Sequence, residues 1–314
     1  RTMMHHLKIN FPLILFIFLM NAAFAQSDLW IDKPNLGNGQ AGLKRTGAVS
    51  FSIDGIVYVA LGKDGSTYHD DLWAYDTNSE TWEQKADYAS GGRTGAFAFM
   101  MNNKGVVGTG ENSSGNLTQS VFIYNPASNT WQAVANFSGG NRVYASSFST
   151  GTRGFVVGGS DGSFQNDLWE YDINADSWIS KGVFPGTARI KAVAFALGNT
   201  AYFGTGDIGV GTYTNDFFEY DIPTNTWTQI ADFPGSARAG AIGCAANATA
   251  YLGLGNSGSF LVDFWSFDGV SWVQHSDFTG AARELAVAEI TGNKVYVGTG
   301  FGGSYYDDFF QWDP

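Results

Sequence analysis

The stretch Asn215 to Arg238, NDFFEYDIPTNTWTQIADFPGSAR, decides the fold. It reads as a strand, a tight turn, a second strand built on a Trp, a Pro-Gly loop and an Arg. Short aromatic and β-branched runs bounded by Asn, Pro and Gly are strands joined by turns. Near-copies recur along the chain. The Arg series is Arg45, Arg93, Arg142, Arg189, Arg238 and Arg283, at spacings of 48, 49, 47, 49 and 45. The Trp series is Trp30, Trp82, Trp131, Trp178, Trp227 and Trp272. An aromatic residue followed by Asp or Asn stands at Tyr75, Tyr124, Tyr171, Tyr220, Phe267 and Trp312. Self-similarity at a period of roughly 40–50 residues belongs to propellers and solenoids.

Each unit resolves into four short strands. After Arg238 comes a small apolar run (AGAIGCAA), then Ala250–Gly253, Asp263–Phe267 and Ser271–Gln274. No long run beyond residue 25 carries the 3.6-residue apolar period, so helices should be scarce.

The Arg-x-Gly/Ala opening, the Gly-x-Gly after the second strand, the Tyr-Asp after the third and the Asn/Ser-Thr-Trp that begins the fourth resemble the kelch repeat. The resemblance covers six registered units. It implies an all-β fold, a six-bladed β-propeller of four-stranded blades, with the Arg-led strand innermost and the Trp-led strand outermost.

The two series are out of phase. Trp30 precedes the first Arg, and the unit opened by Arg283 ends at Pro314 without a Trp-led strand. A blade left with three strands would expose unpaired backbone and aromatic surface. Asp28–Asp32 therefore supplies the missing outer strand, closing the ring from the other end. The competing reading is a further Trp strand beyond Pro314.

At the amino end, a basic start, the ten-residue apolar run Phe11–Met20 and Ala23-Phe24-Ala25 have the form of a secretory signal over residues 1–25. A membrane-spanning helix needs about 20 apolar residues. The expectation is a secreted or periplasmic propeller over residues 26–314, as a single domain. The net charge of −12 argues against nucleic acid and anionic membrane surfaces, which need a basic face.

Most aromatics recur at fixed registers, as at Trp73, Trp169, Phe218, Trp265 and Phe310, and so read as packing between blades rather than a sugar platform. The single Cys244 has no partner for an internal disulfide and reads as a small buried hydrophobe. Four His and one Cys give no metal-ligand cluster. The copper chemistry of some kelch enzymes needs a Cys-Tyr motif and His ligands that this chain lacks. No cofactor is expected.

In such blades the long loops between second and third strands share a face with the loops that lead into each Arg. Variable loops on a rigid scaffold are where binding residues sit. Six Arg on that face could ring the channel mouth and bind a carboxylate or phosphate. Arg45, Arg93, Arg142, Arg189, Arg238 and Arg283 are thus candidate ligand-binding residues. The alternative is architectural: Asp71, Asp167, Asp216, Asp263 and Asp308 open the third strand in five units and could neutralise them. The second unit has Ser120 there, and the expectation is that Arg142 is the unpaired one. Glu284, Glu111 and Asp207 are candidate proton-transfer groups, because they break the pattern of their strand or loop.

Two functions follow. The first is an exported binding module for a protein or an acidic carbohydrate. The second is a sugar-acid mutarotase or epimerase, because a sialic-acid enzyme of the kelch type is similar in being six-bladed and exported.

Overall fold

The computed structural model describes residues 28–314, and the leader expected over residues 1–25 lies outside them. Six antiparallel sheets of four strands account for the bulk of the chain. The first blade runs Val49–Ile53, Ile56–Ala60, Leu72–Asp76 and Thr81–Lys85, from the inside outward. The next four repeat that order, with inner strands Phe97–Met101, Ser146–Ser149, Val193–Leu197 and Ile242–Ala246. The sixth blade has Val287–Thr291 innermost, then Lys294–Gly298 and Phe309–Asp313, and its outer strand is Leu29–Lys33.

Ring closure is therefore as the sequence predicts. Trp30 lies opposite Trp312 and Ile31 opposite Gln311. The same register recurs in every other blade, as Tyr75 opposite Trp82, Tyr124 opposite Trp131, Tyr171 opposite Trp178, Tyr220 opposite Trp227 and Phe267 opposite Trp272. Asp28 reinforces the seam. Its carboxylate accepts from the Trp312 indole at 2.8 Å and from the Ser276 amide at 2.8 Å.

The core is not one interior but six seams. Each apolar cluster combines residues of two neighbouring blades, such as Phe51 and Tyr58 with Val107 and Tyr124, or Phe148 and Phe155 with Phe203 and Tyr220. An outer face that one blade cannot bury alone is buried by the next, which is why the aromatics repeat in register. Several outer Trp also reach back to the preceding segment: the Trp131 indole donates to the Ala86 carbonyl at 2.8 Å and Trp82 to Pro34 at 2.8 Å.

The Arg series is the internal staple of each blade. All six guanidiniums are buried. Each donates to a carbonyl sixteen residues on, as Arg45 does to Leu61 at 3.1 Å and Arg238 to Leu254 at 3.0 Å. That carbonyl belongs to a residue held at positive φ in every blade: Leu61, Thr109, Gly158, Thr205, Leu254 and Thr299. The left-handed corner is unfavourable for a side chain, by about 1 kcal/mol or more, and the Arg ties it down. Five Arg also make two parallel bonds to the Asp that opens the third strand. Arg142 reaches Asp167 at 2.6 and 2.9 Å, and Arg189 reaches Asp216 at 2.5 and 2.9 Å. Burial pushes the Asp263 pKa up, but hydrogen bonds and charge from Arg238 outweigh it and hold the carboxyl below its usual value.

The unpaired member is Arg93, which corrects the expectation for Arg142. An Arg pairs within its own unit, so Ser120 belongs to Arg93. There the guanidinium is held by hydroxyls, Ser120 at 2.7 Å, Ser90 at 2.6 Å and Thr118 at 2.9 Å. Burial without a carboxylate lowers its pKa. A buried charge with a missing counter-charge is a weak point, so Ser120→Asp should complete the sixth pair. Thermal unfolding should show a melting temperature higher by about 2–4 °C, for roughly 1 kcal/mol gained; a lower value would refute this account of Arg93.

Candidate functional site

The channel is built from the residues that follow each Arg. Two positions on stand Gly47, Gly95, Tyr144, Lys191, Gly240 and Leu285, all at positive φ. Their backbones join blade to blade in a closed circle. Gly95 N–H donates to Gly47 O at 3.0 Å, Tyr144 to Gly95 at 2.8 Å, and Lys191 to Tyr144 at 3.1 Å. Gly240 then donates to Lys191 at 2.9 Å, Leu285 to Gly240 at 2.8 Å, and Gly47 to Leu285 at 3.3 Å. One residue further on, all six blades carry Ala: Ala48, Ala96, Ala145, Ala192, Ala241 and Ala286. These two rings form a waist around a cavity of about 120 Å³, and a larger one of about 340 Å³ lies below.

At the waist, three blades have Gly and three have a large side chain. The asymmetry is steric. A Cβ on Gly95 would lie 2.8 Å from the Tyr144 ring, and one on Gly240 would lie 2.9 Å from the Glu284 carboxylate. Each Gly thus makes room for its neighbour's side chain. Tyr144, Lys191 and Leu285 accept a left-handed backbone that non-Gly residues seldom adopt, and such strain gathers at functional sites.

Around this mouth lie two polar clusters. In one, the Tyr68 hydroxyl donates to Glu111 at 2.6 Å and the Lys63 ammonium stands 3.7 Å from the same carboxylate. The hydrogen bond to Glu111, helped by burial, pushes the Tyr68 pKa up to about 12. In the other, Lys191 lies 3.5 Å from Glu284 and 5.1 Å above the Tyr144 ring. Burial raises the Tyr144 pKa, and the charges of Lys63, Glu111 and Glu284 all reach its hydroxyl. Glu111 pairs with Thr94, the residue before Gly95, and Glu284, the residue before Leu285, pairs with Phe301, so both carboxylates, far apart in sequence, stand next to the same backbone ring. The aromatics Phe260, Phe301 and Tyr305 pack together on the adjoining loops, with ring centroids 5.8 and 5.1 Å apart.

Other sequence candidates fall elsewhere. Asp207 spends both oxygens on its own loop, accepting from the Gly209 and Gly211 amides at 2.9 Å each. The six Arg do not line either channel cavity. Five of the guanidiniums stack on loop aromatics, as Arg189 does on Phe184 at 4.8 Å and Arg238 on Phe233 at 4.9 Å. Their geometry is that of the architectural alternative: five charges are matched by Asp, and the Arg93 guanidinium is hydrogen-bonded by hydroxyls. Cys244 is buried, and burial drives its thiol pKa well up, away from any nucleophilic role. His275 is partly covered and lies 4.9 Å from Trp312 between ring centroids. Among the described residues no cluster of three His, Cys, Asp or Glu could hold a metal ion.

Sequence reasoning missed three residues. Tyr144 and Lys191 were detectable as departures from Gly two positions after the Arg. The third is Glu289, six positions after its Arg, where the other blades have Phe51, Phe99, Phe148, Phe195 and Cys244. It lines the lower cavity and accepts from the Ser50 hydroxyl at 2.8 Å. Burial pushes its pKa up to about 7, against the opposing effect of Ser50 and Ser52.

With this geometry in hand, comparison with known proteins fixes the class. Residues 44–87, which hold the first blade, match the Kelch motif. The protein is thus a six-bladed β-propeller carrying the Kelch motif. No curated protein matches the sequence. Of solved structures, 962 chains match, a breadth that marks a widely used fold and not one activity. One of them, titled "Structure of YjhT", is 18% identical with a TM-score of 0.75, over 88% of this chain and 95% of that one. Similarity at that identity is similarity of fold.

Glu289 generates a pH prediction. Its folded pKa of about 7 lies above the ordinary 4.5, so the folded state holds its proton more tightly than the unfolded chain. Stability should therefore fall as pH rises from 4.5 to 7, by on the order of 2–3 kcal/mol from this group. Urea unfolding across that window should show the slope in the native sequence and lose it in Glu289→Gln. An unchanged slope would mean that Glu289 is already ionised at low pH.

Proposed function

We propose that the mouth above the waist is a binding site for a carbohydrate. The observation that carries this is the pairing of Lys63, Tyr68 and Glu111 with Lys191, Tyr144 and Glu284 around one opening. Sugar hydroxyls both donate and accept, and each cluster supplies an acceptor carboxylate beside ammonium and phenol donors. Aromatic faces at Phe301 and Tyr305 complement the apolar faces of a pyranose ring. A site of a few polar groups on a preformed concave scaffold is the usual form of a small-molecule site.

The acidic-sugar reading passes from the Arg hexad, five of which pair with Asp while Arg93 is held by hydroxyls, to Lys63 and Lys191. These are the ammonium groups that border the mouth clusters. Export remains part of the reading and rests on the leader-like residues 1–25. A second, catalytic reading is kept because Tyr68 and Glu111 form a short phenol–carboxylate pair. A mutarotase must take a proton from the anomeric hydroxyl and return one to the ring oxygen, and Glu111 with Glu284 offers two such groups.

The test uses the exported chain, whose mass should begin at Gln26. Millimolar N-acetylneuraminate or galacturonate should raise the melting temperature by about 2–4 °C, as binding to the folded state requires. Lys191→Ala should remove most of that shift, while neutral galactose should bind more weakly than the acids. Absence of a shift with all three sugars would end the carbohydrate reading. Faster anomer equilibration by NMR, abolished in Glu111→Gln, would select the catalytic form.

A further inference from the structure

The lower cavity lies beyond the waist from the mouth and differs from it in chemistry. It runs along the six inner strands from the alanine ring to Ser52, Met100 and Ser149. Among the described residues no Lys, Arg or His lines it, and Glu289 is the one carboxylate that does.

Its hydroxyl hydrogens are committed. Ser52 donates to Ile290 O at 3.1 Å, Ser146 to Ala192 O at 2.7 Å, Ser147 to Ala98 O at 2.7 Å and Ser149 to Met100 O at 2.5 Å. Ser50 donates to one oxygen of Glu289. What these side chains still offer is lone pairs. The free edges of the inner strands add backbone N–H and C=O groups in similar number, so the side chains decide the preference. Glu289 retains accessible surface, and Ser50 and Ser52 are the hydroxyls beside its carboxylate. The rest of the wall is apolar: Ala98, Met100, Ala194, Ala196 and Ala245.

Glu289 also breaks a structural rule. Its register is that of a seam-filling aromatic in four blades, and filling a seam with Phe is the stable solution. An ionised carboxylate there destabilises the apo protein unless it takes up a proton or a counter-charge arrives. One carboxylate among neutral oxygens suits a monovalent cation. A divalent ion would call for more charged ligands.

We propose that the lower channel is a second ligand site, which takes a small primary ammonium compound. The ammonium group sits on the Glu289 carboxylate and the lone pairs of Ser50 and Ser52. A short alkyl chain lies against the alanines and Met100. At about 340 Å³ the cavity is within the usual size range for small-molecule pockets, roughly 300–1,000 Å³. The site is separate from the mouth and does not rest on the carbohydrate reading.

Titration calorimetry and thermal unfolding with n-butylammonium chloride test this, with sodium butyrate and sodium chloride at matched ionic strength as controls. Butylammonium alone should raise the melting temperature, by about 2 °C or more at saturating concentration. Glu289→Gln should weaken binding at least tenfold. Glu289→Phe restores the residue typical of that register, should fold, and should abolish binding. Lys191→Ala, at the mouth, should leave it unchanged. The proposal is overturned if the native chain shows no response beyond the sodium chloride control, or if Glu289→Gln binds butylammonium within twofold of the native chain.

Discussion

Six backbone hydrogen bonds running from Leu285 through Gly240, Lys191, Tyr144, Gly95 and Gly47 and back to Leu285 hold the inner strands as one ring. Each bond joins different blades, so none can be satisfied within a blade. A second circle runs beside it: Gly62 N–H donates to Arg93 O at 2.7 Å, Gly110 to Arg142 at 2.7 Å, and so on to Gly300 and Arg45 at 2.8 Å. Buried amides without partners are expensive, so a blade that leaves the ring strands donors and acceptors on both neighbours. The Arg staples, the small inner residues and the borrowed outer strand all serve this constraint. The Arg fixes the left-handed corner that aims the second Gly amide at the next blade. Alanine at the waist lets six strands approach the axis.

Function is placed by what the ring forbids. Regular positions are consumed by closure: five of the Arg are engaged by Asp and the sixth by hydroxyls within the blade. The proposed sites lie where the repeat is broken: Tyr144 and Lys191 at left-handed positions, Glu111 and Glu284 beside them, and Glu289 at a seam. The mouth and the lower cavity lie on opposite sides of the waist and differ in charge. The first mixes ammonium, phenol and carboxylate groups, and the second is acidic and apolar.

Much of the fold was legible in the chain. Six Arg and six Trp out of phase by one unit require Leu29–Lys33 to complete the last blade, and the register of Trp30 on Trp312 bears this out. The shared face of Glu111 and Glu284 also followed from strand order. The partner of each Arg did not, because pairing Ser120 with Arg93 depends on the loop between the second and third strands folding back within one unit. Nor did Glu289: a two-residue period says which side of the strand it occupies, but not that its side is a seam open to a cavity. The positive φ at Tyr144 and Lys191 is hidden for a related reason, since only the Gly of other blades betrays the requirement.

Native-state hydrogen exchange at the amides of Gly47, Gly95, Tyr144, Lys191, Gly240 and Leu285 tests the central claim most directly. If the ring closes as one cooperative unit, all six should exchange only through global unfolding, with one common protection free energy. If instead one or two of them open locally, several kcal/mol below the rest, the inner circle is a chain of independent contacts and the account of the fold given above is contradicted.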